Sequence, residues 1–245
     1  MGVERIIHQI WLGNNPRPVE WMKTVEDFCD EYDYKYMLWT EDTVGEIDMD
    51  AKIAKAFKGY KNMAGKADIL RLSVLYAYGG VYIDADSVIM RPEKFDTFLK
   101  KNVAEVFFGW EEISAKRTRK LGLAQKKLVA NGIIGAEKGH PFLKELLDGL
   151  VGSIADGAEG KAWKEVGPLY VTRKYTELKK KYPGIHVYPM KYFYPIHWSG
   201  ITDPELHKRV KIPAASMLFQ YGYSTNSFDK IFRKLRRRTR RKRRA

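Results

Sequence analysis

A single cysteine, Cys29, stands in 245 residues, so no disulfide can close within the chain and a reducing compartment is expected. No apolar run approaches the ~20 residues needed to cross a bilayer. Residues Met1 to Arg5 lead into an apolar stretch with no signal-peptide core, and Ile6 stands where a myristoylation motif requires Ser or Thr. The expectation is a cytoplasmic protein, with any membrane attachment peripheral. Internal repeats are lacking. Acid is missing from one place: residues 230–245 carry eleven Lys or Arg and no Asp or Glu. Taking those eleven from the 44 in the chain leaves 33 basic residues against 30 acidic ones, so most of the net charge of +14 belongs to the tail. The body is close to neutral, which argues against a dedicated nucleic-acid binder, whose fold should itself carry a basic face.

What is present describes a globular body, expected over residues 1–229, with 230–245 as a basic appendage. Hydrophobic residues make up 44% of the chain and aromatics 13%, enough for a sizeable core. Residues 6–13 read as a first strand closing in a turn at Asn14, Asn15 and Pro16, residues 19–31 as a helix, and 34–39 as an aromatic-rich strand. Residues 64–78 are apolar around most of a helical circumference, which predicts a buried helix ending at Gly79 and Gly80 in a left-handed cap. Strands are expected at 81–84, 106–110, 131–136, 185–189 and 217–221, with a helix opening at Pro141. The alternation favours an α/β sandwich with a mainly parallel sheet. The basic segment 116–127 has no clear periodicity and reads either as a mobile lid or as a solvated loop.

The chemistry concentrates in Gly79-Gly80-Val81-Tyr82-Ile83-Asp84-Ala85-Asp86. A hydrophobic strand there delivers two carboxylates, one residue apart and therefore on one side, to its C-terminal end. Ligands of open α/β sheets bind at that end. Paired carboxylate oxygens suit a hard divalent cation, Mg2+ or Mn2+, which in turn could carry nucleotide phosphates. The plain alternative is a solvated pair at a strand end. Asp68 and Arg71 lie i,i+3 on the helix feeding this strand. Burying both charges only to pair them would be energetically poor, so they are expected to have something to bind.

These residues carry a resemblance. Ile7-His8-Gln9-Ile10-Trp11-Leu12-Gly13, then Ala67-Asp68-Ile69-Leu70-Arg71, and Tyr76 through Asp86 resemble the DXD-type sugar transferases of glycosyltransferase family 32. Those enzymes have the GT-A fold, a single-domain Rossmann-like sandwich, and are distantly similar to the clostridial glucosylating toxins. Asn131 to Ala136, Gly139-His140-Pro141, Gly167-Pro168 and Phe193-Tyr194-Pro195 also fit, so the resemblance runs over approximately residues 4–228. It implies a metal-dependent, retaining enzyme moving a hexose from a nucleotide-sugar donor, UDP-sugar by preference, to a glycan, glycolipid or polysaccharide. It implies that Trp11 stacks on the base with Leu12 and Gly13 beside it through backbone. Asp68 and Arg71 would hold donor sugar and diphosphate, Tyr82 would touch ribose or phosphate, and Asn131 would lie near the donor sugar. Asp84 and Asp86 would hold Mn2+ or Mg2+. With no evident carboxylate nucleophile, a front-face route is implied, and a trapped covalent sugar–enzyme adduct would overturn it.

The chain departs from the family near its end, where members place a His followed closely by Ser-Trp. The best alignment puts Gln220 at the His, with Ser224, Thr225 and Asn226 near the Ser-Trp; His197-Trp198 is a rival placement. An amide oxygen suits Mg2+ or Mn2+, although it is a poorer ligand than imidazole for transition metals. The tail interleaves Phe228, Ile231, Phe232 and Leu235 with cations, which suits an anionic membrane surface. Nucleic-acid binding and a solvated tail without a partner are the alternatives, and the corresponding whole-protein alternative is a basic nucleic-acid or membrane binding protein on an inactive transferase fold. A haloacid-dehalogenase-type phosphohydrolase would carry its Asp-x-Asp on the first strand with Thr or Val following. Here the motif lies on a later strand and Ser87 follows.

Overall fold

The computed structural model describes residues 2–154, 161–197, 201, 203–223, 228 and 230. In chain order these form β1 (Ile6–Ile10), α1 (Val19–Tyr32), β2 (Lys35–Trp39), α2 (Ala51–Gly59), α3 (Met63–Tyr78), β3 (Gly80–Ile83), β4 (Ser87–Ile89) and α4 (Pro92–Lys101). There follow β5 (Val106–Glu112), α5 (Ala115–Leu121), β6 (Lys127–Ala136), α6 (Pro141–Ser153), α7 (Ala162–Glu165), α8 (Pro168–Leu178), β7 (Ile185–Tyr188), α9 (Met190–Phe193) and β8 (Leu218–Gln220). The main sheet has the order β2-β1-β3-β6-β5-β7, and β6 alone runs against its neighbours. The mainly parallel α/β sandwich expected from the alternation is the one observed.

Period-two alternation sends successive strand residues to opposite faces, and two helical layers cover them. Val106 and Phe108 pack with residues of α2, α3, α6 and α8, whereas Phe107 packs with Val25 and Phe28 of α1 and Phe95 of α4. Helix α3 is buried almost all round, as its apolar circumference predicts, from Gly65 through Leu75. It begins where the Asn62 side chain accepts from the amides of Ala64 and Gly65, satisfying orphan donors of the first turn. It ends at Gly79, whose φ of +68° is paired with an extended ψ rather than the left-handed cap expected. Gly80 also has positive φ, and a Cβ there would lie 2.4 Å from the Ile6 carbonyl, so β3 pairs with β1 only because no side chain intervenes.

Several features extend beyond the sequence expectation. The basic segment is a two-turn helix, α5, capped by Ser114 and closed by Gly122 in the left-handed conformation. Strand β6 starts at Lys127, earlier than expected. The stretch 217–221 contributes β8 to a separate antiparallel pair with β4, not to the main sheet. Among the described residues no helix is long and apolar enough to cross a membrane. The tail from residue 231 lies outside them.

One buried group makes stability depend on pH. His8 on β1 accepts the Trp39 indole N–H at Nδ1 (3.1 Å), so Nε2 carries the proton and donates to the Gly79 carbonyl at 2.9 Å. Burial lowers its pKa from the ordinary 6.5 to about 4. Between those values the unfolded chain binds a proton that the folded one refuses, so this group removes stability as pH falls from 6.5 to 4. The loss should reach roughly 3 kcal/mol at about 1.4 kcal/mol per pH decade. Urea titrations across that window should show the slope in wild type and a flatter one in His8→Gln; equal slopes would mean that other groups carry it.

Candidate active site

The strand order itself marks a crevice. From β1 the chain moves to β2 on one side and then to β3 on the other, so β1 and β3 flank the topological switch point. Trp11 follows β1 and Asp84 follows β3, on the same C-terminal edge. The Asp84 amide donates to the Gly132 carbonyl of β6 at 2.8 Å, and Ser87 opens β4 directly afterwards. Pairing of Ser87 with Gln220 in the β4–β8 ladder brings the late strand back to the motif.

The result is a connected polar network. Arg71 is 5% exposed and Asp68 6%. Arg71 Nη2 lies 3.1 Å from Asp68 Oδ1 and Nη1 3.1 Å from Asp84 Oδ1. Nη1 also donates to the Asn131 carbonyl, and the guanidinium lies over the Tyr82 ring at 4.5 Å. The Asn131 side chain donates to Asp68 Oδ1 at 2.8 Å, and the Tyr82 hydroxyl donates to Asp84 Oδ1 at 2.6 Å. Gln220 Nε2 donates to Asp84 Oδ2 at 2.6 Å and reaches Asp86 Oδ1 at 3.3 Å, while the Tyr223 amide donates to Asp86 Oδ2 at 2.7 Å.

The electrostatics follow from burial. Loss of hydration raises Asp68 to about 6, with Arg71 and Asn131 working in the opposite direction and Asp84 adding to the rise. Burial and then the neighbouring Asp84 raise Asp86 to about 6, against the pull of the Tyr223 amide and Gln220. Burial opposes the charge on Arg71, but Asp84 and its other neighbours override it and the pKa is raised.

The structure brings together Asp68, Arg71, Tyr82, Asp84, Asp86, Asn131 and Gln220. Tyr82 is 1% exposed, with its hydroxyl donating to Asp84 and its ring beneath the Arg71 guanidinium. His197 lies 3.3 Å from Glu111. It is Gln220 whose hydrogen bonds reach both aspartates. Trp11 is half-buried, edge-on to Tyr223 at 5.1 Å, with its indole N–H donating to the Asn15 carbonyl. Leu12 packs against the main core, and the Gly13 amide donates to Glu41 at 2.6 Å. Trp198, Ser224 and Asn226, with Thr225, lie outside the described residues.

Three contributors are given no role by the motif reading. Tyr223 links Asp86 through its amide to Trp11 through its ring. Tyr194 accepts the Ile133 amide with its hydroxyl at 2.9 Å, bracing β6 beside the site. Gly132 lies inside β6, where pairing with β5 jumps from Ile134 opposite Phe108 to Ala130 opposite Gly109. That bulge turns Asn131 toward α3, whereas an Asn-Gly pair in sequence reads as a turn. A Cβ on Gly132 would lie 2.7 Å from Gln220 Nε2 and 2.8 Å from Asp84 Oδ2. Gly132→Ala should therefore displace these groups and cut activity at least tenfold, with a melting temperature within a few degrees of wild type. Unchanged turnover would show that the Asp84–Gln220 geometry is immaterial.

The donor set can be tested against a cation. Among the described residues no group of three or more His, Cys, Asp or Glu side chains is arranged to hold a metal ion. The convergence is of two carboxylates and one amide, an all-oxygen set if the Gln220 amide turns its Oε1 inward, a flip that leaves its shape unchanged. The partially positive Nε2 sits between both carboxylates, where a cation would draw the same oxygens. The set fits a hard ion that retains several waters, such as Mg2+ or Mn2+.

A family model described as a glycosyltransferase sugar-binding region containing a DXD motif matches residues 18–104, which include Asp68, Arg71, Asp84 and Asp86. A second, described as an alpha 1,4-glycosyltransferase conserved region, matches residues 135–214. Both matches are to glycosyltransferase families, and the first spans the Asp-x-Asp motif. Among curated relatives, the chain is 30% identical over 151 residues to inositol phosphoceramide mannosyltransferase 3 of Schizosaccharomyces pombe, covering 60% of this chain and 37% of the relative. It is 24% identical over 142 residues to lactosylceramide 4-alpha-galactosyltransferase of Mus musculus, covering 55% of this chain and 33% of that one. It thus spans about a third of the length of these relatives. The solved structure of PaToxG glycosyltransferase superposes with a TM-score of 0.51 at 18% identity, covering 74% of this chain and 71% of that one, a likeness of fold.

Proposed function

We propose that this protein is a glycosyltransferase that moves a hexose from a nucleotide-sugar donor to a lipid-linked or glycan acceptor, in a reaction that depends on Mn2+ or Mg2+ and retains the anomeric configuration. The observation that carries the reading is the Asp84–Asp86 pair at the switch-point edge, joined by Gln220 and backed by the buried Asp68–Arg71–Asn131 network. Asp84, Asp86 and the Gln220 amide oxygen would hold the cation, which when bound supplies charge neutralisation for the departing nucleotide diphosphate. Trp11 is the base-stacking surface, positioned by Tyr223, with the backbone of Leu12 and Gly13 beside it. Asp68 and Asn131 face the donor sugar, and Arg71 contributes fixed positive potential beside the diphosphate. Tyr82 holds Asp84 in register. The lipid-linked acceptor is favoured by the names of the two curated relatives, both of which specify ceramide-based substrates. UDP is the preferred donor nucleotide in this reading.

Nucleotide release from a panel of UDP- and GDP-sugars, with Mn2+, Mg2+ or EDTA, tests the reading directly. Metal-dependent turnover of one donor is the expected result and identifies the sugar. No release from any donor, together with no metal-dependent nucleotide binding, would overturn it.

A further inference from the structure

A second concavity lies at the same end of the sheet but outside the polar network. Between the β5–β6 ends, the loop after α5 and the outer side of α8 is a cavity of about 580 Å³, in the size range of small-ligand sites. Trp110, Leu121, Leu123 and Tyr175 give it apolar walls, with Trp110 edge-on to Tyr175 at 5.9 Å. Its rim is cationic: Lys127 stands 5.9 Å above the Trp110 ring, Lys179 stands 6.0 Å from the Tyr175 ring, and Arg173 is exposed between them in sequence. The acid in the lining, Glu177, lies 3.1 Å from Lys174. Helix α5 alongside adds exposed Lys116, Arg119 and Lys120 and no acid. The body of the chain is nearly neutral overall, so this concentration of one sign beside an apolar hollow is local.

We propose that this groove seats an anionic phospholipid headgroup at the bilayer surface, with the apolar walls facing the acyl–headgroup boundary and Lys127 and Arg173 holding the phosphate. Aromatic and aliphatic side chains beneath a basic rim are the combination an anionic interface selects. A polynucleotide would need a basic track that continues along several nucleotides, whereas these cations ring a single hollow. Position supports the assignment. Lys127 and Asn131 share β6 four residues apart, about 13 Å along a strand. A lipid phosphate on the rim would thus present its headgroup toward the sugar-transfer site. This deepens the proposed function and rests on it for the link to an acceptor, whereas binding itself does not.

The test uses the full chain and vesicles of phosphatidylcholine with or without roughly a fifth of phosphatidylinositol, acyl chains brominated to quench tryptophan. The tail from residue 230 contains no tryptophan, so quenching reports the body. Wild type should bind the anionic vesicles with quenching. Lys127→Gln/Arg173→Gln should bind roughly 25-fold more weakly, at about fivefold per surface cation. Trp110→Phe should bind nearly as well but lose a substantial part of the quenching. Hydrolysis of soluble donor without lipid should be unchanged in the double variant, which separates failure of the groove from failure of the transferase reading. Equal binding to neutral vesicles would overturn the proposal. So would wild-type affinity in the double variant, or a single-stranded RNA whose binding falls with the same two substitutions.

Discussion

Asp86→Asn should abolish sugar transfer while raising the melting temperature of the cation-free protein. The two carboxylates of the motif are held close with a neutral amide between them, and burial with the Asp84 charge lifts Asp86 to about 6. At pH 7 the folded state therefore keeps Asp86 ionised at a cost, on the order of 1–2 kcal/mol once partial solvent exposure is allowed for. Asparagine removes that cost yet still accepts the Tyr223 amide, so the melting temperature should rise by roughly 2–6 °C. The sign is set by linkage. A raised folded pKa means stability present below the unfolded value and lost as pH rises from 3.8 to about 6. The advantage of the variant should accordingly be full above pH 6 and vanish near pH 4. Added Mn2+ should stabilise wild type and not the variant, and turnover should fall about a thousandfold or more. A variant that loses activity but still gains stability from Mn2+ would place the cation elsewhere.

That opposition between stability and function explains which parts of the molecule were legible in sequence. Local rules agree with the fold where burial alone decides: the all-round apolar pattern of 64–78 could only be an interior helix, and the apolar 81–84 only an interior strand. The Asp68–Arg71 spacing is readable for the opposite reason, because two charges on a buried helix violate those rules and so point to a site. What stayed hidden depends on long-range register. Gln220 was named through the resemblance alone, because its contact with Asp84 spans 136 residues and arises from the pairing of β8 with β4, which no local pattern encodes. Asn131-Gly132 has the composition of a turn, and only two neighbouring strands of different register make it a bulge within β6. Tyr82 enters the site through the resemblance, and what sequence does not convey is that its hydroxyl is engaged by Asp84 and its ring by Arg71. Tyr223 acts mainly through its backbone amide, and a backbone amide has no signature in sequence.

Arg71 is where the largest loss of stability is expected. Its guanidinium lies between Asp68 and Asp84, donates to the Asn131 carbonyl, reaches the Ala67 carbonyl from Nε at 3.3 Å, and covers the Tyr82 ring. Arg71→Met preserves volume but leaves the carboxylate pair without its buried cation, the situation that costs about 3–5 kcal/mol in other proteins. For a chain of this size the melting temperature should fall by roughly 10 °C. Arg71→Lys keeps a charge but cannot span two carboxylates and a carbonyl with one planar fork. It should remain folded and lose most activity. The deciding measurement is a double-mutant cycle at pH 7. If the two groups are coupled through the buried pair, Asp68→Asn will stabilise the Arg71→Met background by at least about 1 kcal/mol more than it changes wild type. Additive effects would mean that Arg71 acts chiefly through Asp84 and Tyr82. The buried Asp68 would then be held by Asn131, and its role would lie with the sugar and not with the cation.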